Sequence, residues 1–81
     1  MMATKRVKFT FPPFLITEPV IYQLGRDFNI VTNIRRADVR SEMGWVVLEL
    51  NGEESEIERG ITWVKGIGVR VDPVSGDVIE G

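Results

Sequence analysis

The sequence predicts an α+β sandwich: four antiparallel strands in one sheet, with two helices packed on one of its faces. Three observations predict it. Apolar residues alternate with polar ones in RVKFTF, and the runs Ile30 to Val39 and WVVLEL divide into two faces at the same period of two, as strands do. Between and after these runs, apolar residues recur at helical spacing over 20–28 and 57–64. Turn residues stand at the junctions, Pro12-Pro13 after the first strand and Arg40-Ser41-Glu42-Met43-Gly44 between two others.

The first strand carries Val7, Phe9 and Phe11 on one face and Lys8 and Thr10 on the other. Pro12-Pro13 ends it, because proline donates no ladder hydrogen bond. A helix is expected to open near Thr17-Glu18-Pro19, with Thr17 or Glu18 as cap and Pro19 in the first turn. Its apolar stripe is Val20, Ile21, Leu24 and Phe28, and Asn29 ends it. In the second strand, Ile30, Thr32 and Ile34 share one face, and Val31, Asn33, Arg35 and Ala37 the other.

The third strand runs from Trp45 to Leu50, with Val46, Leu48 and Leu50 on its core face. Asn51-Gly52 is expected to close that strand and cap the second helix. Glu53, Glu54 and Glu56 crowd that helix's first turn, where its dipole favours acids. Ile57, Ile61 and Val64 form its stripe. Gly60 lies on the same stripe, and a glycine inside a helix costs about 1 kcal/mol relative to alanine, so a close helix–sheet approach is its expected compensation. Gly68 is the expected terminator, Val69 and Val71 the last strand, Ser75-Gly76-Asp77 a turn and Val78-Ile79 a short extra strand. This β-α-β-β-α-β order is the ferredoxin-like unit, for which the expected strand order is 4-1-3-2.

With both helices on one face, Val7, Phe9, Phe11, Ile30, Ile34, Val46, Leu48, Leu50, Val69 and Val71 are expected beneath them. Lys8, Thr10, Asn33, Arg35, Trp45, Val47, Glu49, Arg70 and Asp72 then face the other way. That second set is a solvated face with cross-strand charge pairs, or a surface for self-association or ligand capture.

Eighty-one residues make one domain near the lower end of what a single core stabilises, so dimerisation is expected. No stretch approaches the ~20 apolar residues of a membrane span, and none has the form of a signal peptide. The chain has neither His nor Cys, which removes thiolate metal sites, redox dithiols and imidazole bases, and fits a cytoplasmic location. Ser41, Ser55 and Ser75 have no histidine to activate them. The acids of the second helix are solvated dipole partners rather than shielded catalytic carboxylates. No enzymatic activity and no cofactor are expected.

A net charge of −2 argues against nucleic acid. An RNA platform of this topology stacks bases on several aromatics of its open face, and Trp45 stands there alone. A metal carrier of the same topology would place C-x-x-C after the first strand, where Pro12-Pro13-Phe14-Leu15 stands. A small phosphatase would need an arginine-bearing anion loop at that place.

Glu18-Pro19-Val20-Ile21, Phe28, Asn33-Ile34-Arg35, Glu49-Leu50-Asn51-Gly52-Glu53-Glu54 and Gly68-Val69-Arg70-Val71 occur in an order that resembles the NIL domain over about residues 6–73. The resemblance implies a ferredoxin-like fold related to the ACT group of amino-acid sensors. It also implies a regulatory role: paired NIL domains of methionine ABC importer ATPases bind methionine and inhibit transport. Others are fused to iron–sulfur ferredoxin modules, notably in cyanobacteria. This chain holds no G-x-x-x-x-G-K-[ST] loop and no Cys, so the implied partner, transporter or ferredoxin-type, is a separate chain.

Asn33 matches the motif asparagine and is the leading ligand contact, because an amide both donates to a carboxylate and accepts from an ammonium group. Arg35 replaces the motif leucine on the same face, as a bidentate carboxylate partner or a mate for Glu49. A charge there is ill suited to an apolar thioether. Val31 completes the candidate set for a homodimer that holds an amino acid on its second strand. The alternatives are a structural or protein-interaction module and, remotely, an RNA-binding one.

Overall fold

The computed structural model describes residues 2–74, and the turn and short strand expected over 75–79 lie outside them. Strand β1 is Met2–Phe11, helix α1 Val20–Asp27, strand β2 Ile30–Val39, strand β3 Gly44–Glu53, helix α2 Glu54–Gly66 and strand β4 Arg70–Pro73, with a 3-10 turn at Pro13–Leu15. The sheet order is β2-β3-β1-β4 and every pairing is antiparallel, which is the expected 4-1-3-2 arrangement read from the other edge.

β3 alternates without a break, its core-face residues buried and its other face half-buried. Val7, Phe9, Leu48 and Leu50 from the two central strands meet Val20 and Leu24 of α1 and Ile57 and Val64 of α2 in one apolar cluster. Full burial of such side chains stabilises by roughly 1.5–3 kcal/mol each. No charged or polar side chain is fully buried among the described residues.

α2 ends as its sequence predicts. Gly68 has φ +112°, its N–H donates to Lys65 O, and the N–H of Val69 donates to Val64 O, closing the last turn. Gly60 also acts as expected. A β-carbon there would lie 2.7 Å from Ile30 Cδ1 and 2.8 Å from Leu24 Cδ1, so its absence lets α2 settle onto β2 and α1.

Four local expectations are corrected. Neither Thr17 nor Glu18 caps α1 through its side chain: Pro19 is the capping residue, and the N–H of Val20 is taken by the backbone carbonyl of Glu18. Asn51-Gly52 does not close β3 or cap α2. Gly52 pairs with both Ala3 and Ile30, so the strand continues to Glu53, and Asn51 accepts from Thr4 Oγ1 at 2.6 Å. Ile34 is 58% exposed, because α1 is only eight residues long and leaves the outer half of β2 bare. Finally, a bulge between Ile34 and Arg36 resets the alternation of β2, so that Ala37 pairs with Val46 on the helix side and not with the Asn33 face.

Candidate functional site

β2 is an edge strand: β3 pairs with it on one side and no described strand lies on the other. The three candidate residues lie along it. Val31 stands opposite Asn51 and is 62% exposed; Asn33 stands opposite Glu49 and is exposed. Arg35 sits in the bulge, its Nη1 3.9 Å from Glu49 Oε1. All three belong to the helix-free face, and none lines a cavity described for this chain. The structure thus brings them together as a row on a free edge.

Glu49 is the centre of that row. Its nearer cation is Arg6 of β1, which pairs directly with Glu49 Oε2, both side chains about one-fifth exposed. Arg35 is the looser partner, 53% exposed. Sequence reading included Arg6 in the first strand but left it out of the helix-free face; the alternation Arg6, Lys8, Thr10 is the signal that places it there.

Trp45 lies on the same face of β3 beyond Val47, bracketed by two cations. Lys8 Nζ of β1 is 5.2 Å from its ring centroid and Arg36 Cζ of β2 is 5.8 Å from it. Lys8 and Arg36 both stand opposite Val47, one on each side of β3, so they approach the indole from two neighbouring strands. A base that stacked on Trp45 would have to displace them. The bulge aims Arg36 this way, and a strict period of two would have turned it to the helix side.

On the helix side, the bare half of β2 faces α1 across an apolar groove of about 300 Å³. Leu15, Val20 and Ile21 form one wall, Ile34, Ala37 and Val39 the other, and Val46 lies at the floor. Glu18 is the one ionisable carboxylate in its lining. A second, shallow depression of about 610 Å³ lies where Phe28 meets α2. Phe28 and Trp63 pack there at 5.8 Å between ring centroids, and Arg59 covers Phe28 at 5.4 Å.

Among the described residues no group of His, Cys, Asp or Glu is arranged to hold a metal ion, and no helix is long and apolar enough to cross a membrane. The site therefore offers amide, guanidinium and carboxylate groups for binding.

Three comparisons place this arrangement. The chain resembles the C-terminal domain of an ABC transporter ATP-binding protein from Enterococcus faecalis, with a TM-score of 0.76 at 18% identity over 90% of this chain and 86% of that one, which is a likeness of fold. Comparison with curated proteins gives no match. A family model, the NIL domain, matches residues 5–73, from β1 through β4. The chain belongs to the NIL domain family.

Proposed function

We propose that this chain is a non-enzymatic regulatory module that works as a homodimer and senses a small amino acid on β2. One observation carries the reading. A ten-residue edge strand with Val31, Asn33 and Arg35 in a row on one face has an exposed apolar flank, Ile34 and Val39, on the other. A free strand edge is a template for another strand, and exposed apolar side chains beside it gain from being covered.

In this reading Asn33 holds the ligand through its amide, Arg35 takes a carboxylate, and Val31 packs beside them. A ligand bound between two protomers shifts the population toward one pairing of the domains. Methionine is the first amino acid to test, since membership of the NIL family supports it; Arg35 beside Asn33 favours ligands with more charge. A transporter ATPase in the cytoplasm is the first partner class, supported by the fold likeness. The apolar groove favours a second reading, a protein-interaction module without a small ligand.

Thermal unfolding of the purified chain against a panel of free amino acids, with sedimentation in parallel, tests this. A ligand at a hundredfold its dissociation constant adds ~2.7 kcal/mol, and each kcal/mol moves the midpoint of a domain this size by ~4–8 °C. A midpoint shift with one amino acid, lost in Asn33→Ala, is the expected result. A flat panel, methionine included, would overturn the sensor and leave the interaction module.

A further inference from the structure

Helix α2 presents two carboxylates for which no described residue supplies a cation. Glu54 and Glu58 are both exposed, and neither makes an ion pair among the described residues. They stand four positions apart on a helix, a spacing at which like charges repel and weaken it. The helix dipole accounts for Glu54 in the first turn and not for Glu58, because its effect fades within that turn.

Glu58 stands on the rim of the shallow depression between Phe28 and α2. Phe28 and Trp63, both partly exposed, give that depression an aromatic floor, with ring centroids 5.8 Å apart. The cation already there, Arg59, is paired. It lies over Phe28 and is held by Glu56, whose carboxylate also accepts from the N–H of Asn29 at 3.2 Å. Arg59 and Glu56 thus balance each other, and the Trp63 side of the depression keeps Glu58 without a counter-charge among the described residues. The hydroxyl of Thr62, on the same wall, is already used, donating to the backbone carbonyl of Glu58.

We propose that this depression docks a basic segment of a protein partner: one lysine or arginine lies against Trp63 and pairs with Glu58, and a second cation one helical turn away answers Glu54. A ring face attracts a cation, and a carboxylate beside it holds the charged head. An acidic segment would meet two carboxylates, and a wholly apolar one would cover them unpaired, which is costly. The surface belongs to the helix layer, whereas Val31, Asn33 and Arg35 lie on the helix-free face, so it stands whether or not that row binds an amino acid.

The nitrogen-15 spectrum of the full chain tests it, because the chain has 2 tryptophans and so one indole N–H signal for each. Trp63→Phe assigns the two signals. The probe is a helical peptide with lysine at every fourth position, and the same peptide with glutamate in those places is the control. The expected result is a shift of the Trp63 signal with the lysine peptide alone, while Trp45, bracketed by Lys8 and Arg36, stays in place. Glu54→Gln/Glu58→Gln should weaken binding about fivefold or more, the scale of losing exposed ion pairs, whereas Glu42→Gln, between β2 and β3, should leave it unchanged. All three acids are exposed, so these variants keep the fold, which circular dichroism checks. Equal weakening by Glu42→Gln would mean a general attraction to an acidic chain and would overturn the site. A shift of Trp45 in place of Trp63, equal binding of both peptides, or binding of neither would overturn it as well.

Discussion

The backbone carbonyl oxygen of Asn29 lies 2.7 Å from the point where a β-carbon on Gly52 would sit. The chain leaving α1 crosses β3 there, with no room for a side chain. Gly52→Ala must move backbone, and overpacking of this kind costs about 1–3 kcal/mol. Gly60 has an equally short clearance, 2.7 Å, but to the tip of the Ile30 side chain, which can turn aside. Gly60→Ala also recovers about 1 kcal/mol of helix propensity. Urea unfolding should therefore show Gly52→Ala as the more destabilising change; the reverse order would refute the backbone clash.

Ile34 and Leu48 are directly paired on the helix side of the sheet, yet one is 58% exposed and the other fully buried. Leu48→Ala should cost about 2–5 kcal/mol, the usual range for a leucine deleted from a core. Ile34→Ser should cost the monomer under about 1 kcal/mol, as surface changes do, while weakening self-association. Chemical unfolding at low concentration and sedimentation at high concentration read the two effects separately.

Glu49 has one close and one distant cation. Arg6→Met should lower stability more than Arg35→Met, because Arg6 pairs directly with Glu49 where both are largely covered, while Arg35 is half in solvent. Exposed pairs contribute about 0–1 kcal/mol, so Arg35→Met should leave the melting midpoint nearly unchanged. Equal losses from the two variants would contradict this ranking.

Two carboxyls contribute to the acid limb of stability. The N–H of Asn29, and then Arg59, hold the Glu56 carboxyl below the ordinary glutamate range; the hydrogen bond from Arg26 does the same for Asp27. A depressed folded pKa contributes stability that is full above the unfolded value, about 4, and is lost as pH falls through the lowered one. Glu56→Gln should flatten the fall in melting midpoint below about pH 4. Its acid limb would match the parent's if the Asn29 and Arg59 contacts did not act in solution.

Much of this was legible in the sequence. Val7, Phe9 and Phe11 alternate, Val20, Leu24, Ile57 and Val64 keep helical spacing, and Gly68 ends α2, because each depends on neighbours within one element. Element order then determined the topology. The candidate row Val31, Asn33 and Arg35 was also legible, since strand alternation alone puts those residues on one face.

Only the tertiary structure decided the rest. The bulge at Arg35 is not encoded by any local turn residue; it appears when β2 is laid against β3, and it sends Arg36 to Trp45 and Ala37 to the groove. The exposure of Ile34 depends on how far an eight-residue helix reaches across the sheet, which periodicity does not measure. The preference of Glu49 for Arg6 depends on a pairing forty-three positions apart in the chain. Local physics chose the elements and their faces, and packing between distant segments chose which residues met.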